Sequence, residues 1–253
     1  MTATRVYDMN RRRASKRPAV FMTLPEPQTA PRGVSILCLD LDGTLADSIP
    51  AMRLAYDGFL ARFGKTGSDA EFQELNGPSL REIAALLQQR YGLPPDADAL
   101  LRDYTAEIAS AYERAVQPMH GAEHTLRALH DSGLRLALVT ANVRSIVTGF
   151  IKGQAWDRFF DFLVCGEDAT RCKPAPDLYL AALDRARVAA DCAAAVEDSP
   201  HGVSAAAAAG LLPIGFAPDP AAATVLERAG ARRIIRDLRE LPPLAASLQE
   251  AAK

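Results

Sequence analysis

From Val34 onward the chain alternates short apolar runs with helical patterns, and the apolar runs are themselves unbroken. Ile36–Leu39 and Leu136–Val139 carry no polar residue. A strand of that kind is buried on both faces, which requires helices on both sides of its sheet. Strands are predicted at Val34–Leu39, Leu134–Thr140, Phe162–Cys165, Ala193–Glu197, Leu211–Phe216 and Arg233–Ile235. Between them, helices are predicted at Gly121–Asp131, Val143–Gly153, Asp177–Arg187, Gly202–Ala209 and Ala221–Ala229, with a last one near Asp237–Gln249. Repeated βα units build a parallel sheet, and in such sheets the chemistry lies beyond the carboxyl ends of the strands.

One interval breaks the alternation. Between Ser48 and Pro118 no strand is predicted, only amphipathic helices. Leu80, Ile83, Ala84, Leu87 and Tyr91 share one face of the first, and Leu100, Tyr104, Ile108 and Tyr112 recur every four residues in the second. The expected architecture is α/β, a Rossmann-like parallel sheet flanked by helices, with an all-α cap inserted after the first strand. The predicted division is a leader at 1–33, a core at 34–47 and 119–253, and a helical cap at 48–118.

A formal net charge of −2 over 253 residues gives no whole-protein attraction for nucleic acid or an anionic membrane, so any anion site must be local. No apolar stretch suits a membrane helix; Gly202–Pro218 is alanine-rich and broken by Ser204, Gly210 and Pro213. Cys38, Cys165, Cys172 and Cys192 form no metal-ligand spacing and read as reduced thiols of a reducing, cytoplasmic compartment. Cys172, in a loop beside Lys173, has a somewhat reactive thiol as its alternative reading, but a core thiol is the expected one. The first 33 residues combine Arg11, Arg12, Arg13, Lys16 and Arg17 with a proline-rich run and read as a disordered leader, with Met22 as an alternative start.

The residues with chemistry stand at the predicted strand ends. The first strand runs into Asp40-Leu41-Asp42-Gly43-Thr44. Alternate residues of an extended chain point the same way, so both carboxylates face one site, an odd choice for an apolar sheet unless a cation resides there. One carboxylate can act as nucleophile while the other handles protons, and Gly43 lets the chain turn away. The second strand ends in Thr140-Ala141-Asn142, where a hydroxyl and a backbone N–H before a helix make a small anion cradle or an ordinary cap. Lys173-Pro174 follows the third strand and can neutralise phosphoryl charge. The fourth ends in Glu197-Asp198-Ser199, whose carboxylates supply the hard oxygens magnesium prefers. His201, near a helix start, reads as structural.

The order carboxylates, threonine, lysine, carboxylates resembles the haloacid dehalogenase superfamily of phosphatases and phosphotransferases, over Val34 to about Leu244. The run is similar to the phosphoglycolate phosphatase and β-phosphoglucomutase branch, including Lys173-Pro174-Ala175-Pro176-Asp177, and the helical insertion looks like a class I cap. The resemblance implies Asp40 as nucleophile and metal ligand, and Asp42 as general acid/base offering its carbonyl to the metal. It implies Glu197 and Asp198 as the metal's acidic pair, Mg2+ as cofactor, and Gly43, Thr140, Ala141 and Lys173 around the phosphoryl group. Two departures are His120-Gly121, where the branch carries Pro-Gly, and Ala141, where Thr or Ser is commoner.

The resulting expectation is a magnesium-dependent phosphatase of a small phosphorylated metabolite, phosphoglycolate-like or a sugar phosphate. Its alternatives are a mutase returning the phosphoryl group to a sugar and, more distantly, a catalytically silent binding protein. Asp42 argues against a dehalogenase. Gly64-Lys65-Thr66 echoes a P-loop but follows a helical pattern and lacks the first glycine, and no GxGxxG opens a helix after a strand. For substrate choice the expected loop is Asn76-Gly77-Pro78-Ser79 with Arg81, which could grip a carboxylate or a second phosphate.

Overall fold

In the computed structural model, which describes residues 33–250, the apolar runs close into one sheet. The expected leader lies outside those residues apart from Gly33. Strand β1 (Ile36–Leu39) leads to β2 (Ala46–Asp47), four helices α1 (Ile49–Ala61), α2 (Asp69–Glu74), α3 (Leu80–Tyr91) and α4 (Ala97–Ala115), then β3 (Gln117–Pro118). The alternation resumes with α5 (Ala122–Asp131), β4 (Arg135–Val139), α6 (Arg144–Gly153), β5 (Phe162–Val164), α7 (Asp177–Ala186) and β6 (Ala193–Glu197). It ends with α8 (Pro200–Ala208), β7 (Leu212–Phe216), α9 (Pro220–Ala229), β8 (Arg233–Ile235) and α10 (Leu241–Glu250).

The six-stranded sheet has the order β5-β4-β1-β6-β7-β8, with every neighbouring pair parallel. The chain builds from β1 outward to β4 and β5, then crosses to the other side of β1 to lay down β6. The order therefore reverses between β1 and β6, which is where open α/β sheets bind ligands.

Alternate residues of the central strands feed two cores. Leu37, Leu39, Leu136, Leu138 and Val196 face one, while Ile36, Cys38, Ala137, Val139 and Ala195 face the other with helix α7. Each fully buried Leu or Ile contributes roughly 1.5–3 kcal/mol, so both helix layers are held by burial. Cys38, Cys165 and Cys172 are free and buried. Burial pushes the Cys172 thiol up to about 11, so this loop cysteine resists ionisation, which favours the core-thiol reading over the reactive one.

In the helical insert, Leu100, Tyr104, Ile108 and Tyr112 are all buried, as the four-residue spacing in α4 anticipates. Phe59 of α1 packs on Tyr104 with ring centroids 5.0 Å apart. Helix α3 starts at a capping box of Ser79 with Glu82 and stops at Gly92, whose φ of 61° is left-handed. One expectation is corrected here: the interval does contain a strand. Gln117–Pro118 pairs antiparallel with Ala46–Asp47 across the base of the insert. Two residues are too short to show a period of two, so only the tertiary pairing reveals them.

Candidate active site

Backbone hydrogen bonds carry the strand geometry one residue past each strand and so set the first functional side chains. Asp40 N–H donates to the Val196 carbonyl at 3.1 Å, and Thr140 N–H to the Val164 carbonyl at 3.0 Å. Lys173 reaches in from the segment between β5 and α7. Its Nζ lies 2.5 Å from Asp40 Oδ1 and 2.5 Å from Glu197 Oε1, and it donates to the Val139 carbonyl at 3.2 Å. All three side chains are buried. Tyr179 of α7 donates its hydroxyl to Glu197 Oε1 as well. Glu197 thus anchors the lysine from below while Asp40 faces the cavity.

Asp42 has a separate set of partners. Ser48 Oγ donates to its Oδ1 at 2.7 Å, Tyr112 of α4 donates to the same oxygen, and Asn142 Nδ2 donates to Oδ2 at 3.1 Å. Donors from the strand loop, the insert and the β4 end therefore converge on one carboxylate. Asn142 N–H in turn donates to Thr140 Oγ1 at 3.1 Å, which shapes the turn into α6.

The electrostatics show a shortage of positive charge. Four carboxylates, Asp40, Asp42, Glu197 and Asp198, surround one cation, Lys173. Burial raises the Asp40 pKa well above the ordinary carboxyl value; Lys173 opposes this, and Glu197, Asp198 and Asp42 add to it. Burial, then Glu197, pushes Asp198 up to about 8. Burial works against the Lys173 charge, but Asp40 and Glu197 outweigh it and hold its pKa above that of a free lysine. Oxygens of Asp40, Glu197 and Asp198 lie within 4.8 Å of one another. Glu197 Oε2 is buried without a hydrogen-bond partner. An orphaned carboxylate oxygen in a set of hard oxygen donors fits a divalent cation such as magnesium.

Not every expected residue lies where the sequence reading put it. Asp40, Asp42, Thr140, Ala141, Lys173 and Glu197 all line one cavity of about 710 Å³, counting its open mouth. Asp198 packs beside them against Gly43, where a Cβ would overlap its carboxylate. Gly43 has a φ of 79° and its N–H donates to the Ala46 carbonyl at 2.9 Å. That N–H is committed to the turn, and the missing side chain at Gly43 admits Asp198. Ser79 is spent on the α3 cap. Arg81 is exposed and pairs with Asp98 at 3.3 Å, away from the cavity lined by Asn76, Gly77 and Pro78.

Sequence reasoning missed Ser48, Tyr112 and Tyr179. Tyr112 fell within the apolar repeat of α4 and read as core; nothing local marks its hydroxyl as a partner of Asp42. His201 also acts across the fold. Its Nδ1–H donates to the Asn76 carbonyl at 2.5 Å, seating the insert loop on the start of α8.

Comparison with known proteins agrees with this geometry. The profile of the family described as haloacid dehalogenase-like hydrolase matches residues 37–215. A Drosophila melanogaster protein named "Probable pseudouridine-5'-phosphatase" is 32% identical over 197 residues, covering 75% of this chain and 84% of that protein. Phosphoglycolate phosphatase 1 of Pseudomonas aeruginosa is 28% identical over 198 residues, covering 75% of this chain and 72% of that one. Among solved structures, CbbY from Rhodobacter sphaeroides in complex with phosphate aligns with a TM-score of 0.71 and 25% identity, over 82% of this chain and 96% of that chain. Strand-end chemistry, sheet order and sequence profile lead to one assignment: this chain belongs to the haloacid dehalogenase-like hydrolases.

Proposed function

We propose that the protein is a magnesium-dependent phosphomonoesterase of small phosphorylated metabolites, working through an aspartyl phosphate on Asp40. The observation that carries this reading is the division of labour between two carboxylates two residues apart. Asp40 is buried against Lys173, whereas Asp42 sits in a cluster of neutral donors. Asp40, Glu197 and Asp198, with the Asp42 backbone carbonyl, would hold magnesium. The ion would supply positive charge against the phosphoryl oxygens and the carboxylates.

An Asp40 carboxylate oxygen attacks phosphorus, and the bond from phosphorus to the substrate oxygen breaks. Asp42 delivers a proton to the departing alkoxide. Lys173, held by Glu197 and Tyr179, offsets charge on Asp40 and on the phosphoryl group. Thr140 and Ala141 line the cavity, and the Thr140 hydroxyl and the Ala141 backbone would border the phosphoryl oxygens. In the second half, Asp42 takes a proton from water, which attacks phosphorus and frees Asp40. The insert acts as a cap that excludes bulk water during the first half and admits one molecule for the second.

The test is phosphate release by the purified protein and by Asp40→Asn, with magnesium or with a chelator. The panel is 2-phosphoglycolate, sugar phosphates, nucleoside monophosphates and pyrophosphate. Release that needs magnesium and vanishes in Asp40→Asn is the expected result. Full activity in the mutant would end the nucleophile assignment.

A further inference from the structure

The wall of the cavity opposite the catalytic carboxylates belongs to the insert, and its chemistry is one-sided. Phe72, Leu75, Leu80 and Ile83 present hydrocarbon to the cavity. The polar groups among its lining from the insert are the amides of Gln73 and Asn76 and the hydroxyl of Tyr104, together with loop backbone. The Tyr104 hydroxyl makes no hydrogen bond among the described residues. None of the seven Lys and Arg residues between Ser48 and Pro118 lines the cavity.

Several of those cations are committed elsewhere. Arg53 pairs with Asp57 and Asp69, Arg62 with Asp103 and Glu107, Arg81 with Asp98, and Arg90 with Glu71 and Glu74. Among the described residues Lys173 is the only basic one lining the cavity, and it is shared by Asp40 and Glu197. A second anionic group on a substrate, whether carboxylate or phosphate, would leave water for a space with no cation to meet it. The positive charge of Lys173 and of the magnesium proposed for the site would already be committed to the four carboxylates and the first phosphate. An unpaired charge in that position is strongly penalised, whereas apolar surface with a few hydroxyl or carbonyl groups is matched by this wall.

We infer that the substrate is a monophosphate ester of an uncharged alcohol that turns apolar surface toward the insert, and that the site rejects esters carrying a second anionic group. This inference rests on the phosphatase reading and narrows it: it removes phosphoglycolate-like acids and bisphosphates from the substrate range. Rejection is built by omission, since no residue of the insert blocks such ligands but none compensates their charge.

A matched pair tests it. Glycerol 3-phosphate and 3-phosphoglycerate differ only in a terminal hydroxymethyl against a carboxylate. The expected kcat/KM favours the neutral ester by about tenfold or more, and fructose 1-phosphate is favoured over fructose 1,6-bisphosphate in the same sense. Gln73→Lys, at an exposed position on the rim, places a cation on the wall and should narrow the first ratio several-fold. Equal or better turnover of the two charged substrates by the wild-type protein would overturn the inference while leaving the phosphatase reading intact. No phosphate release from any ester, p-nitrophenyl phosphate included, would instead overturn the phosphatase reading and the inference with it. Should the variant not fold, the wild-type ratios decide the matter alone.

Discussion

Asp42 is the residue on which the most distant parts of the chain converge. Its donors Ser48, Tyr112 and Asn142 lie 6, 70 and 100 residues away in sequence. Burial and the Asp42 carboxylate push the Tyr112 pKa well above that of a free tyrosine, so the phenol stays neutral and donates. A hydrogen bond to a charged group contributes about 1.5–3 kcal/mol, and on the proposed mechanism its main use would be to hold Asp42 where it exchanges protons with the leaving group and with water. Tyr112→Phe should therefore lower kcat on an alkyl phosphate by about tenfold while KM changes little. Steady-state kinetics on one good substrate decide it; an unchanged kcat would reduce Tyr112 to a packing residue.

At the scale of elements, the site depends on how loops are pinned. The loop before α3 enters the cavity wall at Asn76–Pro78 and is then fastened by the Ser79–Glu82 capping box. Ser79 N–H and Oγ both donate to Glu82 Oε2, at 2.7 and 2.8 Å, and Ser79 Oγ accepts from Glu82 N–H at 3.2 Å. The capping oxygens face the helix start, so Ser79→Ala should cost about 1 kcal/mol of stability. It should leave KM unchanged. Denaturant unfolding and steady-state kinetics on the same preparation check this, and a large rise in KM without loss of stability would return Ser79 to the substrate site.

For the molecule as a whole, the crowded carboxylates link metal binding, proton binding and stability. Without a cation, the folded protein holds a proton on Asp198 up to about pH 8, against 3.8 for an ordinary carboxyl. Between those values the folded state binds more protons than the unfolded chain, so stability falls as pH rises through that window. Bound at these carboxylates as proposed, magnesium would take the place of the proton, and its stabilising effect would grow as pH rises. The thermal midpoint should therefore gain more from magnesium at about pH 8 than at about pH 6, relative to chelator. An equal or larger gain at the lower pH would contradict the charge shortage inferred for this site. Among the described residues no helix is long and apolar enough to cross a membrane.

The strands, their order of use and the identities of Asp40, Thr140, Lys173, Glu197 and Asp198 follow from residues near one another in sequence. Unbroken apolar runs report burial on both faces, and a polar residue ending each run reports the carboxyl edge of the sheet. These are short-range signals, carried whole by each βα unit. The partners of Asp42, the occupation of the Gly43 N–H by Ala46 and the outward turn of Arg81 follow no local pattern. They depend on which surfaces of α3 and α4 meet the sheet and on which of several acidic neighbours each arginine finds. Hydrogen bonds and ion pairs across 70 or 100 residues are chosen by packing, and so the charge of the cavity wall formed by the insert was settled by the tertiary structure alone.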